Sequence, residues 1–90
     1  MPLTILAKTK FHRDVKRARK RNKHINKLQI VIETLRGGQS LAARYHPHRL
    51  TGEWEGCLEC HIEPDWLLIY ALTKDVLILI RTGTHSDLFG

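Results

Sequence analysis

No apolar run among the 90 residues approaches the ~20 that a membrane-spanning helix needs, so a protein of that kind is excluded. The N-terminal stretch, Met1-Pro2-Leu3-Thr4-Ile5-Leu6, has neither the basic opening nor the cleavage site of an export signal, and a cytoplasmic protein is expected. Cysteine is scarce: Cys57 and Cys60 are the only two, which suits free thiols in a reducing compartment. There is no internal repeat and no low-complexity linker, so residues 1–90 read as one domain. A chain of this length buries only roughly 60% of its unfolded surface. One thin core follows, built from a sheet with helices on one face.

Acidic residues are nearly missing from the first half. Met1 to Arg49 carries thirteen Lys and Arg against two acids, Asp14 and Glu33, for a net +11; Leu50 to Gly90 carries two basic residues against seven acids, for −5. Positive charge this concentrated exceeds what solubility asks for, and it attracts polyanions through phosphate neutralisation and counterion release. Nucleic acid is the expected partner, met by one selective face.

The periodicity changes along the chain. Leu3 to Lys8 reads as a first strand. Phe11, Val15 and Ala18 recur at helical spacing between Lys10 and Arg21, and Asn22 offers a break. Ile25, Leu28, Val31, Ile32 and Leu35 form one stripe of a second helix, ended by Gly37-Gly38. The outer face of this helix pair is assigned Lys16, Arg17, Arg19, Lys20, Arg21, Lys23 and Lys27 as cations for RNA or ribosome. Gln39 to Glu55 reads as a connecting segment, with Ser40 to Arg44 a helical turn. Cys57 to Ile62 then alternates, with Cys57, Glu59 and His61 on one face and Leu58, Cys60 and Ile62 on the other. Glu63-Pro64-Asp65 is a turn, Trp66 to Leu72 a nearly continuous apolar strand, and Val76 to Arg81 a last strand after Thr73-Lys74-Asp75. The order is β-α-α-β-β-β, an α+β domain with two N-terminal helices packed on an antiparallel sheet.

Strand order alone gathers a set of polar residues. In an antiparallel meander, His61 and the Asp65-Trp66 pair share one rim with Arg81, Thr84 and His85. RNA is cut without a metal when a base takes the 2′-hydroxyl proton, an acid protonates the leaving 5′-oxygen, and a donor steadies the phosphorane. Imidazole suits both proton roles, since its unperturbed pKa of ~6.5 lies near working pH, and a carboxylate beside it fixes its tautomer. Each residue also has a plainer role. His61 is a packed strand residue, Asp65 a turn former, and His85 a partner for backbone groups. Trp66 is either core or a stacking platform, Phe89 a packing anchor or a stacking ring, and Arg81 bridges to Glu59 or Glu63 or holds phosphate. His12, His24 and His46 are assigned to the surface.

Cys57-Leu58-Glu59-Cys60-His61 matches the C-x-x-C-H pattern of covalent haem attachment. That chemistry belongs to exported chains, and strand alternation points Cys57 and Cys60 to opposite faces, an objection that zinc meets as well. No metal and no cofactor are expected.

Three ordered stretches carry a resemblance. His48-Arg49-Leu50-Thr51-Gly52-Glu53-Trp54 resembles the H-x-L-x-G-x-W segment of YafQ-like toxins. His61 to Asp65 resembles their H-[IV]-x-P-D turn, and Arg81 to Phe89 their R-x-G-[ST]-H-x-x-L-F ending. The chain is thus similar to the YafQ branch of the RelE superfamily. The resemblance implies a RelE-like fold and ribosome-dependent, metal-independent cleavage of mRNA in the A site. It places His48, His61, Asp65 and His85 on catalytic positions, with His48 and His85 as the proton-transfer pair and His61 and Asp65 orienting. Trp66 and Phe89 fall on substrate-placing positions, and Arg81 is a candidate phosphate holder. It also implies a cognate antitoxin, DinJ- or RelB-like, that blocks the site and binds operator DNA. The competing reading is a non-catalytic RNA- or ribosome-binding module on the same basic helices.

Overall fold

The computed structural model describes residues 2–90. Strand β1 (Thr4–Ala7) leads into helices α1 (Thr9–Lys20) and α2 (Ile25–Arg36). A two-residue strand, β2 (His48–Arg49), precedes β3 (Leu58–Glu63), β4 (Trp66–Leu72) and β5 (Val76–Gly83). A short helix, α3 (His85–Phe89), ends the chain. The α+β reading and the helix pair are borne out, and α2 and β4 fall on the expected boundaries.

The sheet is mixed, where a purely antiparallel one was expected. Its order is β1-β5-β4-β3-β2, and β1 runs parallel to β5, with Thr4 opposite Val76 and Ala7 opposite Leu79. The physical reason is the connection: the helix pair is a crossover long enough to carry the chain across the sheet, which a hairpin cannot do. The remaining pairings are antiparallel. Asn22 sits at φ 61° between the helices, a left-handed position that asparagine tolerates, and turns the chain there.

Strand β4 is apolar throughout because both of its faces are covered. Trp66, Leu68 and Tyr70 join Phe11, Ala18, Leu28, Val31 and Leu35 under the helices. Leu67 and Ile69 face the other way, into a small cluster with Leu88 of α3, Leu50, Trp54 and Cys57. The two cysteines accordingly lie in different clusters on opposite sides of the sheet. Burial pushes the Cys60 thiol up to about 12.

The C-terminal helix was not foreseen. Five residues are too few to hold a helix alone, and the surroundings fix this one. Thr84 Oγ1 accepts from the Asp87 N–H at 3.0 Å while Asp87 accepts from the Thr84 N–H at 2.9 Å, a reciprocal cap. Leu88 is buried, and Arg21 donates twice to Asp87, at 2.6 and 3.2 Å. A Cβ on Gly83 would come within 2.9 Å of Asp87 Oδ2, so glycine is what lets α3 fold back so closely.

Candidate active site

The tip of the β3–β4 hairpin reaches the start of α3. Asp65 Oδ1 accepts from the His85 backbone N–H at 2.9 Å and lies 2.6 Å from His85 Nδ1. The backbone N–H of His85, and then its ring, hold the Asp65 carboxyl below the usual carboxylate range. An ionised carboxylate only accepts, so Nδ1 carries the proton and Nε2 is left free for other work. The Pro64-Asp65 turn and the aspartate–imidazole pair are therefore the same structure.

A second imidazole is fixed in another way. His48 Nδ1 lies 2.8 Å from the His46 carbonyl, which can only accept, so this ring also carries its proton on Nδ1. His46 adopts a left-handed conformation (φ 47°) in the turn that aims its carbonyl there. Strand β2 pairs His48 with Glu59 of β3, and His48 Nε2 comes within 3.3 Å of Glu59 Oε1. His61, two residues further along the same face of β3, brings its Nε2 within 3.6 Å of that oxygen. Glu59 is 5% exposed, and its Oε2 has no hydrogen-bond partner among the described residues. A buried carboxylate oxygen left without a donor is uncommon in native folds.

The rings form a row. His61 stands 6.3 Å from His48 and 5.8 Å from His85, centre to centre, and His46 lies 5.5 Å from His61. Phe89 continues the row 6.5 Å beyond His85, its ring edge-on to Trp54 at 6.2 Å. The side chains of His48 and His85 are about half exposed, and that of His61 is 23% exposed. Two outer imidazoles with fixed Nδ1 protons thus flank a more sheltered central one. Phe89 is 47% exposed and available for stacking.

Three of the sequence assignments require correction. Trp66 is 1% exposed, with its indole N–H donating to Thr82 Oγ1 at 2.9 Å, so its ring is core and cannot stack on a base. Arg81 donates to Asp14 of α1 at 2.7 and 3.1 Å, instead of bridging to Glu59 or Glu63. Asp14 is itself buried and also accepts from Arg17 at 2.9 Å and from the Thr82 N–H at 3.1 Å. Of the assigned surface cations, Arg17 and Arg21 are paired with Asp14 and Asp87, and Lys23 and Lys27 both grip Glu63 at 2.9 Å. Lys16, Arg19 and Lys20 have no acidic partner among the described residues. Two residues were missed. Glu59 was legible as a neighbour of His61 by alternation, but its approach to His48 depends on strand register. His46, assigned to the surface, lies against His61.

The chain has known relatives. The sequence model of one family, described as a bacterial toxin of type II toxin–antitoxin system, YafQ, matches residues 3–90. The chain belongs to the YafQ toxin family. The mRNA interferase toxin YafQ of Escherichia coli (strain K12) is 47% identical over 81 residues, which cover 89% of this chain and 88% of that one. A crystal structure of YafQ from E. coli strain BL21(DE3) superposes with a TM-score of 0.94 at 43% identity, covering 98% of this chain and 99% of that one. The toxin of the E. coli DinJ–YafQ toxin–antitoxin complex matches at 0.93 and 43% identity, with both chains fully covered. The fold is thus that of YafQ toxins, RelE-like. No helix among the described residues is long and apolar enough to cross a membrane.

Proposed function

We propose that this toxin is an endoribonuclease, an mRNA interferase that cuts mRNA in the ribosomal A site by acid–base attack of the 2′-hydroxyl. The observation that carries the reading is the arrangement of His85, doubly held by Asp65, beside His61 and His48. The 2′-oxygen bonds to phosphorus while the bond to the 5′-oxygen breaks, leaving a 2′,3′-cyclic phosphate and a 5′-hydroxyl. One group must take a proton and another must give one. His48 and His85 take these two roles from opposite ends of the row. His61 and Glu59 hold the centre beneath the phosphorane, and Phe89 supports a base. General acid–base catalysis of this kind contributes about 10²- to 10⁴-fold.

Ribosome dependence follows from what the site lacks. A small exposed row of rings does little to orient a flexible RNA, and docking on ribosomal RNA supplies that orientation. Lys16, Arg19 and Lys20 are among the cations of α1 left free to dock. The pairing in the E. coli complex supports an antitoxin of the DinJ type as partner; in this reading it covers the site and represses the operon through operator DNA. The deciding experiment is primer extension on a reporter mRNA in a reconstituted translation reaction, with wild type beside His85→Ala. In-frame cuts by wild type alone, and only with ribosomes, are expected. Ribosome binding without cuts by either protein would favour a non-catalytic binding module instead.

A further inference from the structure

A groove of about 790 Å³ runs from the outer side of α2 to the imidazole row. Lys27 and Ile30 of α2, Arg44 and Tyr45, and the imidazoles of His46 and His61 are among the residues that line it. Ile30 is 57% exposed, a large apolar side chain that folding leaves in water. In the same groove the Arg44 guanidinium lies over the Tyr45 ring at 4.9 Å and donates to its hydroxyl at 3.0 Å. Lys27 is paired with Glu63, whereas Arg44 has no acidic partner among the described residues. The groove therefore combines apolar walls with a flat ring that carries one free cation, the Arg44 guanidinium.

These are the parts from which proteins build seats for unpaired nucleotides: aromatic or guanidinium planes for the base and a free cation for the backbone. Three imidazoles of the row, His46, His48 and His61, line the same groove. His46 joins the two, since its carbonyl fixes His48 and its ring stands 5.5 Å from that of His61. We infer that this groove is a nucleotide subsite for single-stranded RNA. It seats the base adjacent to the scissile phosphate against Tyr45 and Ile30, with the flanking phosphate on Arg44. The inference rests on the endoribonuclease reading and adds to it the residues that choose where the cut falls. A base held on one side of the row fixes which phosphate lies over His61, so cleavage preference at that neighbouring position originates here.

The test uses Tyr45→Ala, Tyr45→Phe and Arg44→Ala beside wild type and His85→Ala. Cleavage is mapped on translated reporters that vary the nucleotides on each side of the cut. The loss of a stacking ring costs roughly tenfold to a hundredfold in cleavage efficiency. Tyr45→Ala is expected to lose that much and to flatten the base preference at one flanking position only, while Tyr45→Phe keeps both. Arg44→Ala lowers efficiency without changing the preference. Because Tyr45 also packs against the core, melting curves establish that the alanine variant is folded. A second readout is independent of cutting: a short unpaired RNA should bind His85→Ala more tightly than the His85→Ala, Tyr45→Ala double variant. Wild-type cleavage with unchanged rates and preferences in Tyr45→Ala overturns the inference and leaves the endoribonuclease reading intact. Weaker antitoxin binding by the groove variants, with cleavage unchanged, overturns it in favour of a peptide occupant. No cleavage by wild type refutes the reading beneath it.

Discussion

Arg81 provides a sharp test of how cations in this fold are used. Its guanidinium donates twice to Asp14, whose side chain is 3% exposed and which also receives Arg17 and the Thr82 N–H. Replacing Asp14 with alanine leaves the Thr82 N–H and most of the Arg81 guanidinium without an acceptor. Breaking a buried pair costs about 3–5 kcal/mol. The Arg81 side chain keeps 18% of its surface in water, which places the loss near the lower end, about 3 kcal/mol. For a domain of this size that lowers the melting midpoint by about 12–24 °C. Arg81→Ala leaves Asp14 its bonds from Arg17 and the Thr82 N–H, so it should cost less than Asp14→Ala. The double variant should cost clearly less than the two losses added, with a coupling of at least about 1.5 kcal/mol. Urea unfolding of the four proteins gives these values, and cleavage assays at a temperature where all are folded give the second half. Both single variants should then cut with modest, matching losses. An Arg81→Ala protein that melts like wild type, shows no coupling to Asp14 and has lost cleavage would refute the structural role and return Arg81 to the phosphate.

Glu59→Gln removes a buried charge whose Oε2 finds no donor, so the melting midpoint should not fall, while cleavage drops at least about tenfold because His48 and His61 lose their shared anionic neighbour; equal cleavage would remove Glu59 from the site. Replacing Lys16, Arg19 and Lys20 with alanine should flatten the salt dependence of ribosome binding by about two to three in log–log slope, and replacing Lys23 and Lys27 should change it little, since Glu63 already holds them. Acid should loosen α3. The Arg21 guanidinium, and then the Thr84 N–H, hold Asp87 far below the usual carboxylate range, and Lys27 with Lys23 lowers Glu63. Depressed carboxylates contribute stability that is full above the ordinary carboxylate range, at about 4, and lost as pH falls through the native values. Melting midpoints should therefore fall modestly below about pH 4, since solvent screens these pairs, and Asp87→Asn should start slightly lower at pH 6 and show a shallower acid limb; parallel curves would exclude Asp87 as a contributor.

The elements most legible from sequence are those that a single periodicity governs. The stripe of α2 and the unbroken run of β4 each have one physical cause, burial on one face or on both, and both boundaries follow from it. Meander order likewise brings His61, Asp65 and His85 to one rim, because antiparallel neighbours leave little freedom at a two-residue turn. Helix α3 was missed although Thr84-His85-Ser86-Asp87 spells a capping sequence, since five residues give periodicity nothing to work on. The approach of His48 to Glu59 was out of reach for a different reason. It rests on two residues of pairing between β2 and β3, after a connection with no regular pattern.

Charge was the most misleading quantity, and the structure explains how. The acidic second half was read as leaving one positive face selective for nucleic acid. Two of its acids, Glu63 and Asp87, instead grip Lys23, Lys27 and Arg21, which tie the helix layer to the turn of the β3–β4 hairpin and to α3. Pairs as exposed as these add little stability. What they do is set direction: Arg21 acts on the aspartate that caps the helix carrying His85 and Phe89, and Lys23 and Lys27 act on the residue beside Pro64-Asp65. The opposite signs of the two halves are thus partly a device for registering helices against the reactive rim. Cations beyond reach of those acids, among them Lys16, Arg19 and Lys20 on α1 and Arg44 over the groove, are the ones left for the RNA contacts proposed above. A count of net charge cannot separate these two populations, because the separation depends on which acid lies within 4 Å, and that is decided by tertiary packing.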